Sequence, residues 1–453
     1  MRETEGTRLQ EFKSGGNSRY KEYPEYKETS KSWLTVPDHW EVRRLKFCAE
    51  INPSKNEVRN IDADTEVTFL PMENVSEQGG INREETKLLD DVIDGYTYFR
   101  EGDILVAKIT PCFENGKGAL ANSLKNDIGF GSTEFVILRP YNELNNRFLY
   151  YVTASNLFRK IGEGQMKGAA GQKRVPDEYF QNFPQFIPPE NEQKSISGFL
   201  DRENEKIAQL IKKMEDLISL IEESKLSIIT QTVTQGLDPD AEKQETEADW
   251  LGSVPKHWEV NIFRRFCSLN QGLQIAQSER FDNPGKNRYK YLTVEDINSG
   301  EDYNSDYIED PPKSVICDEE DVLLARTGAT GEVISDFHGA FHNNFFKINF
   351  DREHIRKEFL VYYLSNKLIK ENLLAKAGLT TVPDLNHRYF LDTTLLLPPD
   401  DEQKEIVEYL DSELEEYNRT IDKTREGIER LKEYRTALIT EAVTGQIDVR
   451  GEV

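Results

Sequence analysis

The chain has 453 residues, 37% of them hydrophobic, which suits two or three packed domains and excludes a wholly disordered chain. No apolar run of about 18 residues occurs, which argues against a helical membrane span, and residues 1–10, MRETEGTRLQ, lack the apolar stretch of a secretory signal. The net charge of −25 is unfavourable for nucleic-acid binding over the whole surface, so the distribution of charge matters more than its sum.

Residues 1–32 are polar and are expected to be a loose tail. Residues 33–187 read as a mixed α/β domain. Segments 102–109 (GDILVAKI) and 130–140 (FGSTEFVILRP) have the patterning of strands, and 147–161 (RFLYYVTASNLFRKI) has helical spacing. Within this domain 57–103 carries thirteen acids against four Lys or Arg, whereas 159–174 sets Arg159, Lys160, Lys167, Lys173 and Arg174 against Glu163 alone. The charge distribution allows local basic faces on an acidic body; the alternative is that these are ordinary solvated faces.

Residues 188–235 read as one long helix. Its start, PPENEQ, puts prolines and acids where a helix tolerates a missing N–H and favours negative charge. Ile196, Leu200, Ile207, Leu210, Met214, Leu217, Ile221 and Ile228 make a heptad seam, interrupted at Glu203 and Ser224. Some 36 helical residues span about 54 Å. Residues 236–249 are acidic and read as a linker.

Residues 250–397 read as a second mixed α/β domain, with strand-like 321–326 and 343–350 and helical 358–377. It holds an acidic stretch, 298–321, whose loop 298–310 is expected to face away from any nucleic acid or toward a protein partner, and a basic one, 337–390. Residues 398–445 read as a second long helix. Its sparser seam is Ile406, Leu410, Tyr417, Leu431, Tyr434 and Leu438, with Thr420, Thr424 and Gly427 inside; residues 446–453 form a C-terminal tail.

The chain repeats itself. WLTVPDHWEVRRLKFC (33–48) matches WLGSVPKHWEVNIFRRFC (250–267), and IPPENEQKSISGFLD (187–201) matches LPPDDEQKEIVEYLD (397–411). The helix ends also recur, as ITQTVTQGL (229–237) and ITEAVTGQI (439–447). Between these anchors the likeness fades. One frame kept in duplicate around two different centres suits a scaffold that presents two different binding surfaces. The fold class expected is α/β: two mixed α/β domains separated by two long coiled-coil helices.

Motifs for chemistry are missing. Neither GKG at 116–118 nor GKN at 285–287 completes a P-loop, no GxGxxG occurs, and PPE and PPD lack the aromatic residue of an amino-methyltransferase motif. His338 and His342 lack the glutamate of HExxH, so no metal site is expected. The cysteines, Cys48, Cys112, Cys267 and Cys317, form no CxxC pair, which fits a reducing cytoplasm. Cys48 and Cys267 look like matching small core residues, and His39 and His257 like packing residues at each domain's start.

The two VP(D/K)HWEV openings, the two PPxxEQ helix starts and the two ITxxVT ends, in this order over residues 33–449, resemble the specificity subunits of type I restriction–modification systems. The resemblance implies that 33–187 and 250–397 are target-recognition domains, each reading one half of a bipartite double-stranded DNA sequence. It implies that 188–235 and 398–445 pack antiparallel as a ruler for the gap. It implies two methyltransferase subunits as partners, with restriction subunits where present. S-adenosylmethionine, ATP and Mg would belong to those partners, so this chain is expected to be a non-catalytic subunit without a cofactor, and no membrane is involved.

Arg and Lys suit guanine or phosphate, and Asn and Gln suit adenine. The candidate DNA contacts in the first domain are therefore Thr110, Asn115 and Lys117, then Gln165, Lys167, Gln172, Lys173 and Arg174 in a glycine-relieved loop. In the second domain they are Arg326, Thr327 and Thr330, Asn343 and Asn344, and Lys376, Thr380, Thr381, Asn386 and Arg388. Two other functions fit the same residues: a coiled-coil interaction scaffold without DNA binding, which the acidic charge favours, and an orphan specificity subunit that serves methylation only. A self-contained nuclease is disfavoured by the missing motifs.

Overall fold

The computed structural model describes residues 20–29, 35–168, 171–299, 306–378 and 384–452. The chain divides into two compact units, residues 1–213 with 426–453, and residues 214–425. Each unit therefore holds one α/β domain together with part of each long helix.

In the first unit β1 (Tyr26–Glu28) pairs antiparallel with β2 (Thr35–Pro37). Then come β3 (Glu41–Arg44), β4 (Ala49–Ile51), β5 (Glu66–Leu70), β6 (Thr86–Leu88) and a short helix α1 (Leu89–Val92). β7 (Thr97–Arg100), β8 (Ile104–Ala107), β9 (Gly118–Leu120), β10 (Ile128–Gly131) and β11 (Phe135–Pro140) follow. Helices α2 (Asn146–Ala154), α3 (Asn156–Glu163) and α4 (Asp177–Asn182) lead to β12 (Pro184–Ile187) and the long α5 (Glu190–Gln235). The strands form two four-stranded sheets, ordered β6-β5-β10-β7 and β4-β11-β8-β9, and the pair β12-β3.

The second unit repeats this strand order with β13 (Lys243–Glu245), β14 (Ser253–Pro255), β15 (Glu259–Ile262), β16 (Cys267–Gln271) and β17 (Arg288–Leu292), its short helix α6 (Val294–Ser299) coming one strand earlier than α1. β18 (Tyr307–Glu309), β19 (Ile316–Cys317), β20 (Val322–Ala325), β21 (Val333–Ile334), β22 (Gly339–Phe341) and β23 (Phe345–Phe350) complete its centre. Helices α7 (Lys357–Ser365), α8 (Lys367–Ala377) and α9 (His387–Leu391) precede β24 (Thr394–Leu397) and the long α10 (Asp400–Val443). Its sheets run β18-β17-β22-β19 and β16-β23-β20-β21, with the pairs β13-β14 and β15-β24. The centres, unlike in sequence, thus share one topology, down to one parallel strand pairing in each among the described strands, β5 with β10 and β17 with β22.

The duplicated motifs join the domains to the long helices. Gln193, buried at the start of α5, accepts from Asn145 N at 2.7 Å and donates to the carbonyls of Glu143 and Pro188 at 3.0 and 2.9 Å. Gln403 does the same in α10, accepting from Arg356 N at 2.9 Å and donating to His354 and Pro398 at 2.8 and 3.0 Å. The glutamate before each glutamine takes the histidine of the opening motif: His39 Nε2 lies 2.8 Å from Glu192, and His257 Nε2 lies 2.7 Å from Glu402. These histidines therefore bond the domain start to the helix start as well as packing there. Gly445, just past α10, sits at φ +71° with its missing Cβ facing Pro37 and Trp40, so the end of α10 closes the first core.

Several local expectations change. Tyr20 and Tyr23 are buried in the first core, and β1 occupies the place that β13 takes in the second unit. Residues 20–29 are thus a packed part of the repeat instead of loose tail, and part of the acidic 236–249 segment is strand. Residues 1–19 lie outside the described residues. Segment 130–140 is two strands in different sheets, turned at Ser132–Glu134. Segments 147–161 and 358–377 each break into two helices, at Ser155 and Asn366. These residues take extended backbone, and their side chains cap the next helix by accepting from Phe158 N at 3.3 Å and Ile369 N at 3.0 Å.

The helix seams also shift. In α5 the inward residues include Ile207, Ile211, Met214 and Ile218, while Leu210 and Leu217 are exposed. In α10 Ile421 and Ile428 are buried where Thr420 and Gly427 were expected, and Thr424 stays inside. Within the second unit Lys225 bonds Asn418 and Glu222 pairs with Arg425, so a descending α5 number meets a rising α10 number and the helices run antiparallel. The cysteines do not match: β4 and β16 put Ala49 in register with Cys267, and Cys48 falls opposite Phe266, although both cysteines are buried. Among the described residues no helix is long and apolar enough to cross a membrane.

Candidate nucleic-acid interface

In the first unit the loop after β8 is a tight turn held by Phe113 N to Ile109 O at 2.9 Å and Lys117 N to Cys112 O at 2.9 Å. Its ring anchor, Phe113, is buried against Phe158 and Tyr179. The buried Arg159 donates to the carbonyls of Phe113 and Gly116 at 3.2 and 3.1 Å, so it braces this loop from below. Burial pushes its guanidinium down to about 10, which leaves it charged at neutral pH.

The glycine-relieved loop folds back beside this turn. Thr110 N donates to Lys173 O at 3.0 Å, Val175 N donates to Lys108 O at 2.8 Å, and Lys167 and Arg174 exchange backbone bonds at 3.0 and 2.9 Å. Thr110, Lys167, Gln172, Lys173 and Arg174 are thereby brought together. Lys167, Gln172 and Lys173 are exposed, and their side chains make no hydrogen bond or ion pair among the described residues. Gln165 is also exposed. Thr110 is half-buried, its hydroxyl 3.4 Å from Glu114. Asn115 and Lys117 turn away to another segment, Asn115 donating to Glu77 at 2.8 Å and Lys117 to Met72 O at 3.1 Å.

Arg174 is not a free cation. Its Nε and Nη2 donate to the Glu134 carboxylate at 2.7–3.1 Å. The bonds from Arg174 hold Glu134 below the usual carboxylate range. Of the basic segment 159–174, Arg159 is buried and Lys160 lies 3.5 Å from Glu163, so its free charge reduces to Lys167 and Lys173.

The second unit makes the same backbone join. Leu385 N donates to Arg326 O at 3.0 Å, as Val175 does to Lys108 O, and Arg326 N donates to Asn344 O at 2.7 Å, as Lys108 N does to Glu134 O at 2.9 Å. Here the guanidinium stands on the other segment: Arg326 Nε and Nη2 donate to Asp384 at 2.6–3.0 Å, and Thr327 adds a bond of 3.0 Å. Burial pushes Asp384 up, but these bonds outweigh it and hold the carboxyl low. Arg326, Thr327 and Asn344 therefore converge. Asn343 donates to Gln274 at 3.2 Å. Thr330 folds back to Arg326 O at 3.0 Å, and Asn386 caps α9 by accepting from Tyr389 N at 3.0 Å.

Lys376 is half-buried and donates to Thr393 at 2.9 Å; burial lowers its ammonium. Arg388 is 83% exposed on α9, 3.4 Å from Asp392. Thr380, Thr381 and residues 300–305 of the acidic 298–310 loop lie outside the described residues.

Sequence reasoning missed Lys108, which matches Arg326 in the frame, and Glu134 and Asp384, which orient the arginines; it read Arg159 as surface charge, whereas Arg159 supports the first loop from below, with Lys370 paired to Glu332 at the same helix position in the second unit. Attention to cations and amides alone hides the carboxylates.

The type I restriction modification DNA specificity domain matches residues 37–224 and again 255–430. The EcoAI specificity subunit of Escherichia coli is 44% identical over 186 residues, 41% of this chain and 31% of that protein, and the EcoEI subunit is 41% identical over 36% of this chain and 27% of that protein. The chain thus matches about a third of the length of these two relatives. The MjaVIII specificity subunit of Methanocaldococcus jannaschii is 22% identical over 92% of this chain and 95% of its own. In fold, the HsdS subunit from Thermoanaerobacter tengcongensis superposes with a TM-score of 0.53 at 17% identity, covering 92% of this chain and 100% of that one. A chain from a study of type I R-M complex assembly and conformational transition gives 0.64 at 17% identity, covering 90% and 98%. With the family model matched in both halves, the chain belongs to the type I restriction modification DNA specificity family.

Proposed function

We propose that this chain is the non-catalytic, DNA-reading subunit of a type I restriction–modification complex. Each unit reads one half of a split double-stranded target, and the paired helices fix the gap. The observation that carries this is the common backbone join, Val175 to Lys108 and Leu385 to Arg326, which sets two loops side by side in both units with unlike side chains on them. A frame that is constant under loops that differ suits two half-sites of different sequence.

In this reading the exposed Lys167 and Lys173 contact phosphates, which position the protein, while arginine and amide groups of the loops meet base edges. Two methyltransferase subunits dock on the chain, and restriction subunits join where the system has them. S-adenosylmethionine, ATP and Mg act in those partners, and the complex works in the cytoplasm. The chain's own task is to bind and orient: the target adenine must leave the duplex to be methylated, and rigid placement over each half-site selects which adenine that is.

The test is co-expression with the neighbouring modification gene, followed by genome-wide detection of N6-methyladenine. The expected result is one split motif with a fixed gap, lost when this chain is omitted. A folded, bound partner that yields no motif would favour a protein-binding scaffold instead.

A further inference from the structure

Resting on that DNA-reading function, we propose that Arg174 and Arg326 are guanine-reading residues, each held side-on by a carboxylate that leaves its end-on edge free. A guanidinium has five N–H bonds in a plane. Glu134 and Asp384 take the same edge of their arginines, Nε and Nη2. Nη1 makes no hydrogen bond among the described residues in either case. The outward N–H of Nη1 and the second N–H of Nη2 then remain as a parallel pair. That pair matches O6 and N7 of guanine in the major groove, which accept two bonds from one guanidinium.

The clamp also fixes direction. A free arginine side chain loses much rotamer freedom on binding; one already held on two atoms has lost it beforehand. Arg326 is further held by the Phe346 ring, 5.4 Å from its Cζ. Each pair has one exposed and one half-buried partner, so as an ion pair it adds only modestly to stability. They recur at the same join with the partners exchanged. In the first unit the arginine comes from the later loop and the carboxylate from the turn just before β11. In the second the arginine follows β20 and the carboxylate comes from the later loop.

The test uses the assembled methyltransferase complex with Glu134→Gln, Arg174→Lys, Asp384→Asn or Arg326→Lys, each read by N6-methyladenine mapping. The wild-type motif is expected to hold a guanine in each half-site. Glu134→Gln and Arg174→Lys should relax the preference for one guanine in the first half-site on the order of tenfold, and the other two variants should do so only in the second. The unaltered half-site reports folding and assembly in the same reaction. A half-site without guanine, or a uniform loss with every motif position unchanged, overturns the proposal, the latter assigning the arginine to phosphate. A wild-type complex with no motif at all overturns the DNA-reading function and this proposal with it.

Discussion

The Trp40 indole donates to the buried Glu192 carboxylate at 3.0 Å, whereas the equivalent Trp258 Nε1 is buried without a partner among the described residues. Glu192 also receives the Tyr23 hydroxyl at 2.5 Å and lies 2.8 Å from His39 Nε2, so one carboxylate gathers three side chains at the base of the first domain. Glu402 takes His257 at 2.7 Å. Removing an acceptor strands buried donors, at about 1–3 kcal/mol for each group left unmade. Glu192→Ala should therefore lower unfolding stability by roughly 2–4 kcal/mol, and Glu402→Ala by about 1 kcal/mol or less. Urea unfolding of the two variants checks this; equal losses would show that the Tyr23 and Trp40 bonds contribute nothing.

The same contact shows which parts of the fold were legible. The His, Glu and Gln of the duplicated motifs are long-range partners in both halves, and Trp40 joins them in the first, so their spacing recurs and can be seen without a structure. The shared topology of the centres cannot, because equivalent positions carry unlike residues: Lys108 against Arg326, Glu134 against Asn344, Arg174 against Asp384. Periodicity misplaced the helix seam because Leu210 and Ile211 are both apolar and adjacent, so two stripes fit the pattern and only packing chooses between them. The β1 strand had a sequence signal, Glu28-Thr29 ahead of the first opening motif and Glu245-Thr246 ahead of the second, that polar composition concealed. At the candidate interface, sequence shows which polar residues share a loop, but the division into free, clamped and inward-turned side chains depends on carboxylates far away in sequence.

The clamped arginines set a pH dependence. Hydrogen bonds from Arg174 depress Glu134, with Lys108 adding its charge; for Asp384 burial acts upward and the bonds from Arg326 and Thr327 outweigh it. Both folded values lie below the unfolded ones, so the contribution is complete above the ordinary carboxylate range, about 4. It is lost as pH falls through the lower folded values. His387, its ring tilted against Phe346 with centroids 4.4 Å apart, is pushed down by burial and by the Arg326 charge, so it is neutral at pH 7. Discrimination between a target duplex and one with a single changed guanine should stay flat from about pH 8 to about pH 7, where Glu134 and Asp384 are ionised and His387 is neutral. Fluorescence anisotropy across that range measures it, and a transition centred near neutrality would assign control to a histidine instead.

The helix seams give the last prediction. The inward positions of α5, including Ile207, Ile211, Met214 and Ile218, alternate in steps of four and three, as do Ile421, Thr424 and Ile428 in α10. Such a seam tolerates insertion of a whole heptad, because seven residues return the helix to nearly the same face. Seven residues added to each helix, at matching levels, lengthen the pair by about 10 Å. At about 3.4 Å per base pair that corresponds to roughly three base pairs. Methylation mapping should then show both half-sites unchanged in sequence and the gap between them longer by two to three base pairs, about the same range. Three base pairs also rotate one half-site about the duplex axis, so slower methylation is expected along with the longer gap. Unchanged half-sites with an unchanged gap would show that something other than helix length fixes the spacing.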